Sequence, residues 1–210
     1  MFKILGTLLS MGNREDLLAG AKRCLMAKGY AATTARDVAA AAGTSLAAIG
    51  YHFRTTRALL DEALFEAMAE WGEELDRALA HDADPDADPE QRFELAWERI
   101  IESIVRLRPL WAVQFELIAR MDRAPELREA FAAANRRARL GLAEVFHRFG
   151  PGTDEGTALT LGAFHQALLG GVAAQCLVDP DAAPSAQELT RALRIVARQL
   201  GPDEAPGRTG

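Results

Sequence analysis

TTARDVAAAAGTSLAAIGYHFRTTRALL, residues 33–60, holds two short helical patterns set three residues apart. Thr34, with Asp37 three positions on, is a weak capping-box pattern for a helix ARDVAAAA that stops at Gly43. Ser45 is a good N-cap for a second helix covering LAAIGYH. The joint Gly43-Thr44-Ser45 is tight enough to force a steep crossing of the two, the geometry of a helix-turn-helix. The second helix of such a unit lies in the major groove of DNA. Small side chains then have a purpose: Ala47, Ala48 and Gly50 let the backbone sit deep, and Ala and Leu methyls can pack on thymine methyls. Tyr51 and His52 can donate to phosphates, which position a duplex rather than read it. Ile49 and Phe53 are expected to face inward.

Outward from this stretch the pattern is helical throughout, with no convincing alternating strand. A first helix is expected to start at Asn13 as cap, to bury Leu17, Ala21 and Leu25, and to end at Lys28-Gly29. Residues 1–10 are either an added helical turn or a stretch ahead of a true start at Met11; no A-x-A-type site marks them as a signal peptide. Leu60, Leu64, Met68, Trp71 and Leu75 mark one face of a long helix 4. After the acidic segment HDADPDADPE, Asp88 caps a helix 5 that opens on Pro89, has Gln91 in the box position, and buries Phe93, Trp97, Ile100, Ile104 and Leu107. Pro109 separates a helix 6 with Trp111, Phe115 and Ile118 inward. Pro125 opens helix 7, with Leu127, Phe131, Ala134, Leu142 and Val145 inward, and Gly150-Pro151-Gly152 ends it. Helix 8, roughly 154–178, shows a large apolar stripe (Leu161, Phe164, Leu168, Val172) and a small one (Ala163, Ala167, Gly170, Ala174), so both faces are expected to pack. Ser185 with Glu188 opens helix 9, which carries Leu189, Leu193, Val196 and Leu200. The fold class is therefore all-α, about nine helices, divided into a head (1–57), a body (58–202) and a tail expected to be disordered (203–210).

Charge separates the same parts. Residues 1–57 hold eight Lys/Arg against three acids, a net of +5, and the remainder carries −11 of the whole chain's −6. A cationic head on an anionic body points to a polyanion bound at one end. Apolar residues are 49 % and charged residues 26 % of the chain, an ordinary soluble balance, and no uninterrupted apolar run suggests a membrane span. Cys24 and Cys176 lie in apolar helical patterns and read as core residues of a cytoplasmic protein.

Residues 33–60 resemble the DNA-binding signature of the TetR family of transcriptional regulators: the paired Thr, the Arg-Asp-apolar-Ala run, Ala42-Gly43, Ser45, Ile49, Tyr51-His52-Phe53 and Leu59-Leu60. The resemblance implies a homodimer paired through its last two helices as a four-helix bundle, with a small-molecule pocket in the body. It assigns DNA contact to Arg36, Thr44, Ser45, Leu46, Ala47, Tyr51, His52, Arg54, Thr56 and Arg57. Three departures stand out. Thr56 occupies the place of the family's phosphate-binding Lys, leaving Arg54 or Arg57 to substitute. Gly50 replaces a frequent aromatic residue, and Leu46 a frequent polar one. The recognition helix is thus poor in groups for bidentate base readout, and DNA shape is expected to contribute.

Candidates for the pocket are Trp97, Trp111, Phe115, Met121, Phe164, His165 and Gln166. His165-Gln166 is a polar pair in an apolar helix that needs partners if buried. Such pockets are mostly apolar with few polar anchors, so the expected effector is small and largely hydrophobic. Dimerisation candidates are Ala163, Ala167, Gly170, Ala174, Leu189, Leu193 and Val196. No cofactor or metal is called for. Glu144-x-x-His147 is half of a ferritin-like motif without its second half, and no nucleophile elbow or phosphate-cradling loop is present, so an enzyme is not expected. The remaining alternatives are an activator without a small-molecule effector, or a helical protein-interaction module.

Overall fold

A computed structural model describes residues 2–82, 86–121, 125–147 and 154–201, the side chains of residues 2–12 and 126 excepted. Among these residues there are nine α-helices: α1 Phe2–Lys28, α2 Ala35–Ala42, α3 Leu46–Phe53, α4 Thr56–His81, α5 Pro89–Arg106, α6 Arg108–Ile118, α7 Pro125–His147, α8 Glu155–Val178 and α9 Ala186–Leu200. No strand occurs among them. The expected helix end at Gly150-Pro151-Gly152 and the tail 203–210 lie outside the described residues.

Local capping sets most boundaries. Thr34 and Asp37 form a reciprocal capping box at α2, as do Asp88 and Gln91 at α5 and Ser185 and Glu188 at α9. Gly29 (φ +79°) ends α1 and Gly43 (φ +65°) ends α2, both in the left-handed region that glycine adopts without strain. Two caps correct the sequence reading. Helix α1 runs through Asn13 from Phe2, because residues 2–12 hold no proline and Gly6 and Gly12 cost a helix only about 1 kcal/mol each. Ser45 does occupy the N-cap of α3, yet its side chain makes no capping bond. The Ala48 N–H that it would serve donates instead to the Ser45 carbonyl at 3.1 Å.

The head packs around α1. Leu17, Ala21 and Leu25 are fully buried and meet Val38, Ile49 and Phe53 from α2 and α3 and Leu59, Leu60 and Leu64 from α4. The body is built on α5, whose Trp97, Ile100 and Ile104 are buried. Trp71 of α4 donates its indole N–H to Ser103 Oγ at 2.9 Å and meets Trp111 of α6 edge-on, 5.1 Å between centroids. Arg108 donates to the carbonyls of Cys176 and Leu177, filling acceptors that the end of α8 leaves open. Ile118, expected inward, is 43 % exposed, while its neighbour Leu117 takes the buried side of the last turn of α6.

Helix α8 departs furthest from expectation. Its buried line is Ala158, Gly162, His165, Leu169, Val172, Ala173 and Cys176, a different face from the anticipated large stripe. Only Val172 of that stripe is buried; Phe164 is 43 % exposed. The small residue that the packing demands is Gly162. A Cβ there would stand 1.9 Å from the Arg139 carbonyl oxygen of α7. Helix α8, though its apolar run is interrupted by Thr, His and Gln, is long and apolar enough by length and composition to cross a bilayer, the only such helix among the described residues. A third of its most apolar window is buried within the chain.

His165 lies inside this packing, 2 % exposed. Its ring stacks on Phe146 at 4.0 Å and 11°. Its Nε2 is 2.9 Å from His147 Nε2, so one imidazole donates and the other accepts. Burial, helped by the neighbouring His147, pushes the His165 pKa down to about 4.

Two outcomes follow from these contacts. Gly162→Ala should destabilise the fold by about 1–3 kcal/mol in urea unfolding, since α7 and α8 must separate. Gly170→Ala, whose Cβ would meet nothing within 4 Å, should not. His165 is held neutral in the folded chain while its unfolded counterpart takes up a proton below 6.5. The stability it contributes is therefore full above that pH and is lost as pH falls toward 4. Thermal melts across this window should show the slope in the native chain and a shallower one in His165→Leu; equal slopes would place the acid sensitivity elsewhere.

Candidate nucleic-acid interface and effector region

Helix α3 presents one face and buries the other. Ile49 and Phe53 are 3 % and 5 % exposed and anchor the helix against α1 and α4. Leu46 is 49 % and Tyr51 79 % exposed, and Ser45, Ala47 and Gly50 are exposed with them. Such outward placement of an aromatic side chain on an anchored helix leaves its hydroxyl to a partner outside the chain. His52 is half-buried, its ring edge-on to Tyr51 at 4.8 Å. Because Ser45 is not engaged in capping, its hydroxyl stays at the surface. Thr44 is different from expectation: its hydroxyl is buried and unpartnered, beneath the turn rather than on it.

The link to α4 was not foreseen. Arg54 adopts φ +65°, a strained conformation for a non-glycine residue, and the Thr55 N–H donates to the Phe53 carbonyl at 2.7 Å in a three-residue turn. Thr55 then caps α4 by accepting from the Ala58 N–H at 3.0 Å. No Gly or Asn marks this turn in the sequence, which is why it was not legible. Thr56 is the first, half-buried residue of α4, and Arg54 and Arg57 stand exposed on either side of it.

Six of the head's eight cations divide into two groups; Arg23 stands apart and donates to the Ala41 carbonyl. Arg14 pairs with Glu62, Lys22 with Glu66 (2.9 Å) and Glu70 (2.6 Å), and Lys28 with Asp37 (2.5 Å). Lys28, with the Thr34 bonds, holds the Asp37 carboxyl well below the usual carboxylate range. These cations bind the head to itself and to α4. Arg36, Arg54 and Arg57 remain exposed around α3, with no ion pair among the described residues. Arg57 lies near enough to Asp61 to oppose the rise that burial causes in its pKa.

The effector candidates fall into separate places. Trp97 and His165 share an aromatic cluster with Phe93 and Phe146: Phe146 lies 5.7 Å from Trp97 and 4.0 Å from His165. Trp97 Nε1 and His165 Nδ1 are buried without a partner. Phe164 touches His165 edge-on at 5.3 Å but stands on the outer side of α8. Trp111 belongs to the Trp71 pair, and its Nε1 and the nearby Gln114 Oε1 are also buried and unpartnered. Phe115 and Met121 are half-buried against the core. Gln166 is satisfied within the chain, accepting from Arg139 at 2.9 Å and donating to Asn135 at 3.0 Å. The sequence reading missed Phe93 as a wall of this cluster, along with Phe146 and His147. Their apolar spacing is that of any core helix. A cleft of about 250 Å³ between α4 and α5 is lined by Trp71, Leu75 and Ser103 and by Arg99 and Arg106, which pair with Asp82, Glu102 and Glu74.

The dimerisation candidates all reach the outside of the chain. On α8, Ala163, Gly170 and Ala174 are half-buried and Ala167 is exposed. On α9, Leu189 and Leu193 are half-buried, while Ile195 and Val196 are each 46 % exposed.

Comparison with known proteins agrees with this geometry. The family model for bacterial regulatory proteins of the tetR family matches residues 17–63, and that for the tetracyclin repressor-like C-terminal domain matches residues 88–199. No curated protein sequence matches the chain. Among solved structures, a TetR transcription regulator from Haloarcula marismortui is similar at TM-score 0.61 and 19 % identity, over 89 % of this chain and 95 % of that one. A transcriptional regulator from Streptomyces coelicolor A3(2) is similar at TM-score 0.58 and 25 % identity, over 89 % and 96 %. The multidrug binding protein EbrR complexed with imidazole is similar at TM-score 0.58 and 25 % identity, over 94 % and 98 %. Its head and its body each matched by one of these models, the chain belongs to the TetR family of transcriptional regulators.

Proposed function

We propose that the chain is a cytoplasmic, homodimeric repressor that leaves a pseudo-palindromic operator when a small, largely hydrophobic effector enters its body. The observation that carries the DNA half is α3: anchored by Ile49 and Phe53, it turns Ser45, Leu46, Ala47 and Tyr51 outward beneath Arg36, Arg54 and Arg57. The Ala and Gly side of the helix can sit deep in a major groove, and Leu46 and Ala47 can meet thymine methyls. Tyr51, Arg54, Arg57 and the N-terminal N–H groups of α4 hold the phosphates, which answers the loss of the usual Lys at Thr56.

Dimerisation supplies the second half-site. The exposed apolar side chains of α8 and α9, Phe164, Ile195 and Val196 among them, form the surface that a second copy covers. This covering also accounts for the membrane-like composition of α8 in a regulator of this family.

The effector reading rests on Trp97 and His165. Their buried nitrogens lack partners inside an aromatic cluster, and a hydrogen bond left unmade there costs about 1–3 kcal/mol. A planar, largely apolar molecule with a polar edge matches those groups, and EbrR, a protein of similar fold, is described as binding drugs. A ligand that prefers a body shape with another head spacing lowers operator affinity by as much as its affinities for the two shapes differ. The spacing that DNA demands is about 34–36 Å, or a multiple.

Selection of bound duplexes from a random pool should return a pseudo-palindrome. Binding to it should fall steeply with salt, because several phosphates are neutralised. Tyr51→Ala should weaken it by roughly tenfold, about 1.4 kcal/mol. A flat salt response, or no preferred duplex, overturns the reading. Val196→Glu should turn the dimer into monomers in sedimentation and abolish binding to the full operator; a dimeric Val196→Glu protein would place the interface elsewhere.

A further inference from the structure

Tyr30 stands where head and body meet, and three elements hold it. Its hydroxyl donates to Asp61 Oδ1 of α4 at 2.5 Å. The Arg120 guanidinium lies over its ring at 4.8 Å. Its backbone N–H donates to Glu116 Oε2 of α6 at 3.0 Å, and the next N–H, of Ala31, donates to Glu116 Oε1 at 2.8 Å. One carboxylate thus grips two successive main-chain donors just past the left-handed Gly29, at the bend that leads from α1 into the helix-turn-helix.

A carboxylate in this place is not explained by capping. It stands near the negative end of α1, where a cation would be the stabilising choice. Its two bonds do provide what a neutral side chain with a single acceptor cannot: they fix both distance and orientation between α6 and the start of the head. The same helix carries Trp111 and Gln114, whose buried polar atoms are unpartnered. Gln114 and Glu116 are two residues apart, so they point to nearly opposite sides of α6. One side of an 11-residue helix therefore carries buried, unpartnered polar atoms of its own, and the other holds the head.

We infer that Glu116 is a positioning residue that fixes the angle of the head on the body, and so sets which half-site spacing the dimer accepts. The inference rests on the DNA-binding reading above and names its regulating contact. A shift of α6 by about 1 Å would carry N···O distances beyond hydrogen-bond range and free the head, a small movement with a two-state consequence.

The test uses the full-length dimer, its selected operator, the same operator with one or two base pairs added at its centre, and a duplex with a single half-site. Native protein should lose about tenfold or more in affinity on the lengthened operators, since half-site spacing is a geometric requirement. Glu116→Ala should show that penalty reduced to roughly threefold, with single half-site affinity within about twofold of native. Glu116→Gln, which keeps one acceptor oxygen, should fall between. Glu116→Gln also serves if Glu116→Ala does not fold. A native spacing profile in Glu116→Ala or, failing its folding, in Glu116→Gln overturns the inference. So does equal loss on the single half-site and the full operator. If native protein prefers no duplex at all, the DNA-binding reading itself has failed, which is a separate result.

Discussion

Two eight-residue helices cannot hold their own shape in water, because so short a segment barely offsets the cost of nucleation. The head exists because α1 gives α2 and α3 a surface to bury against. Leu17, Ala21 and Leu25 are fully enclosed there, and burying each leucine is worth about 1.5–3 kcal/mol. The approach is close: a Cβ on Gly20 would stand 3.0 Å from Ala42 and 3.1 Å from the Val38 carbonyl oxygen. Everything exposed on α3 is exposed because Ile49 and Phe53 are committed to this interface. The groove-facing side is defined by what the other side must bury.

Features governed by neighbours along the chain were legible before any coordinates. The three capping boxes, the left-handed glycines and Pro89 in the first turn are local chemistry, read within four residues. So was the inward placement of Ile49 and Phe53, since one 3.6-residue period separates core from surface. Features governed by partners far along the chain were not. Periodicity identified apolar faces on α8 without saying which one α7 covers, and the buried face proved to be the one centred on Gly162 and His165. Gly162 in an apolar helix looks the same whether or not a carbonyl oxygen presses on it. The Glu116 grip joins residues 85 and 86 positions apart, and nothing near Glu116 announces it. For the effector region, the sequence offered residue types without their company: Trp97 and His165 are in one cluster, Trp111 in another, and Gln166 is already satisfied.

Charge was legible as a total and misleading as a map. The head's net of +5 says that this end is cationic without saying which cations stay free. In the fold, Arg14, Lys22 and Lys28 are held by Glu62, Glu66, Glu70 and Asp37. Pairs this exposed contribute little stability, a median near 0–1 kcal/mol. Their larger effect is on direction. With Arg14 and Lys22 paired to acids of α4, Lys28 to Asp37 of α2, and Arg23 bonded to the Ala41 carbonyl, the cations left around α3 are Arg36, Arg54 and Arg57. The remaining residues carry −11, a charge that disfavours a polyanion along the body relative to the head. An acidic chain can thus present a DNA-binding surface without a large excess of cations, provided its few unpaired arginines are gathered where the recognition helix is exposed. The small, nearly uncharged surface of α3 then fits the same logic. On the proposed DNA-binding reading, the surrounding arginines supply attraction that is indifferent to sequence, and the helix between them discriminates by methyl contact and by the shape of the groove.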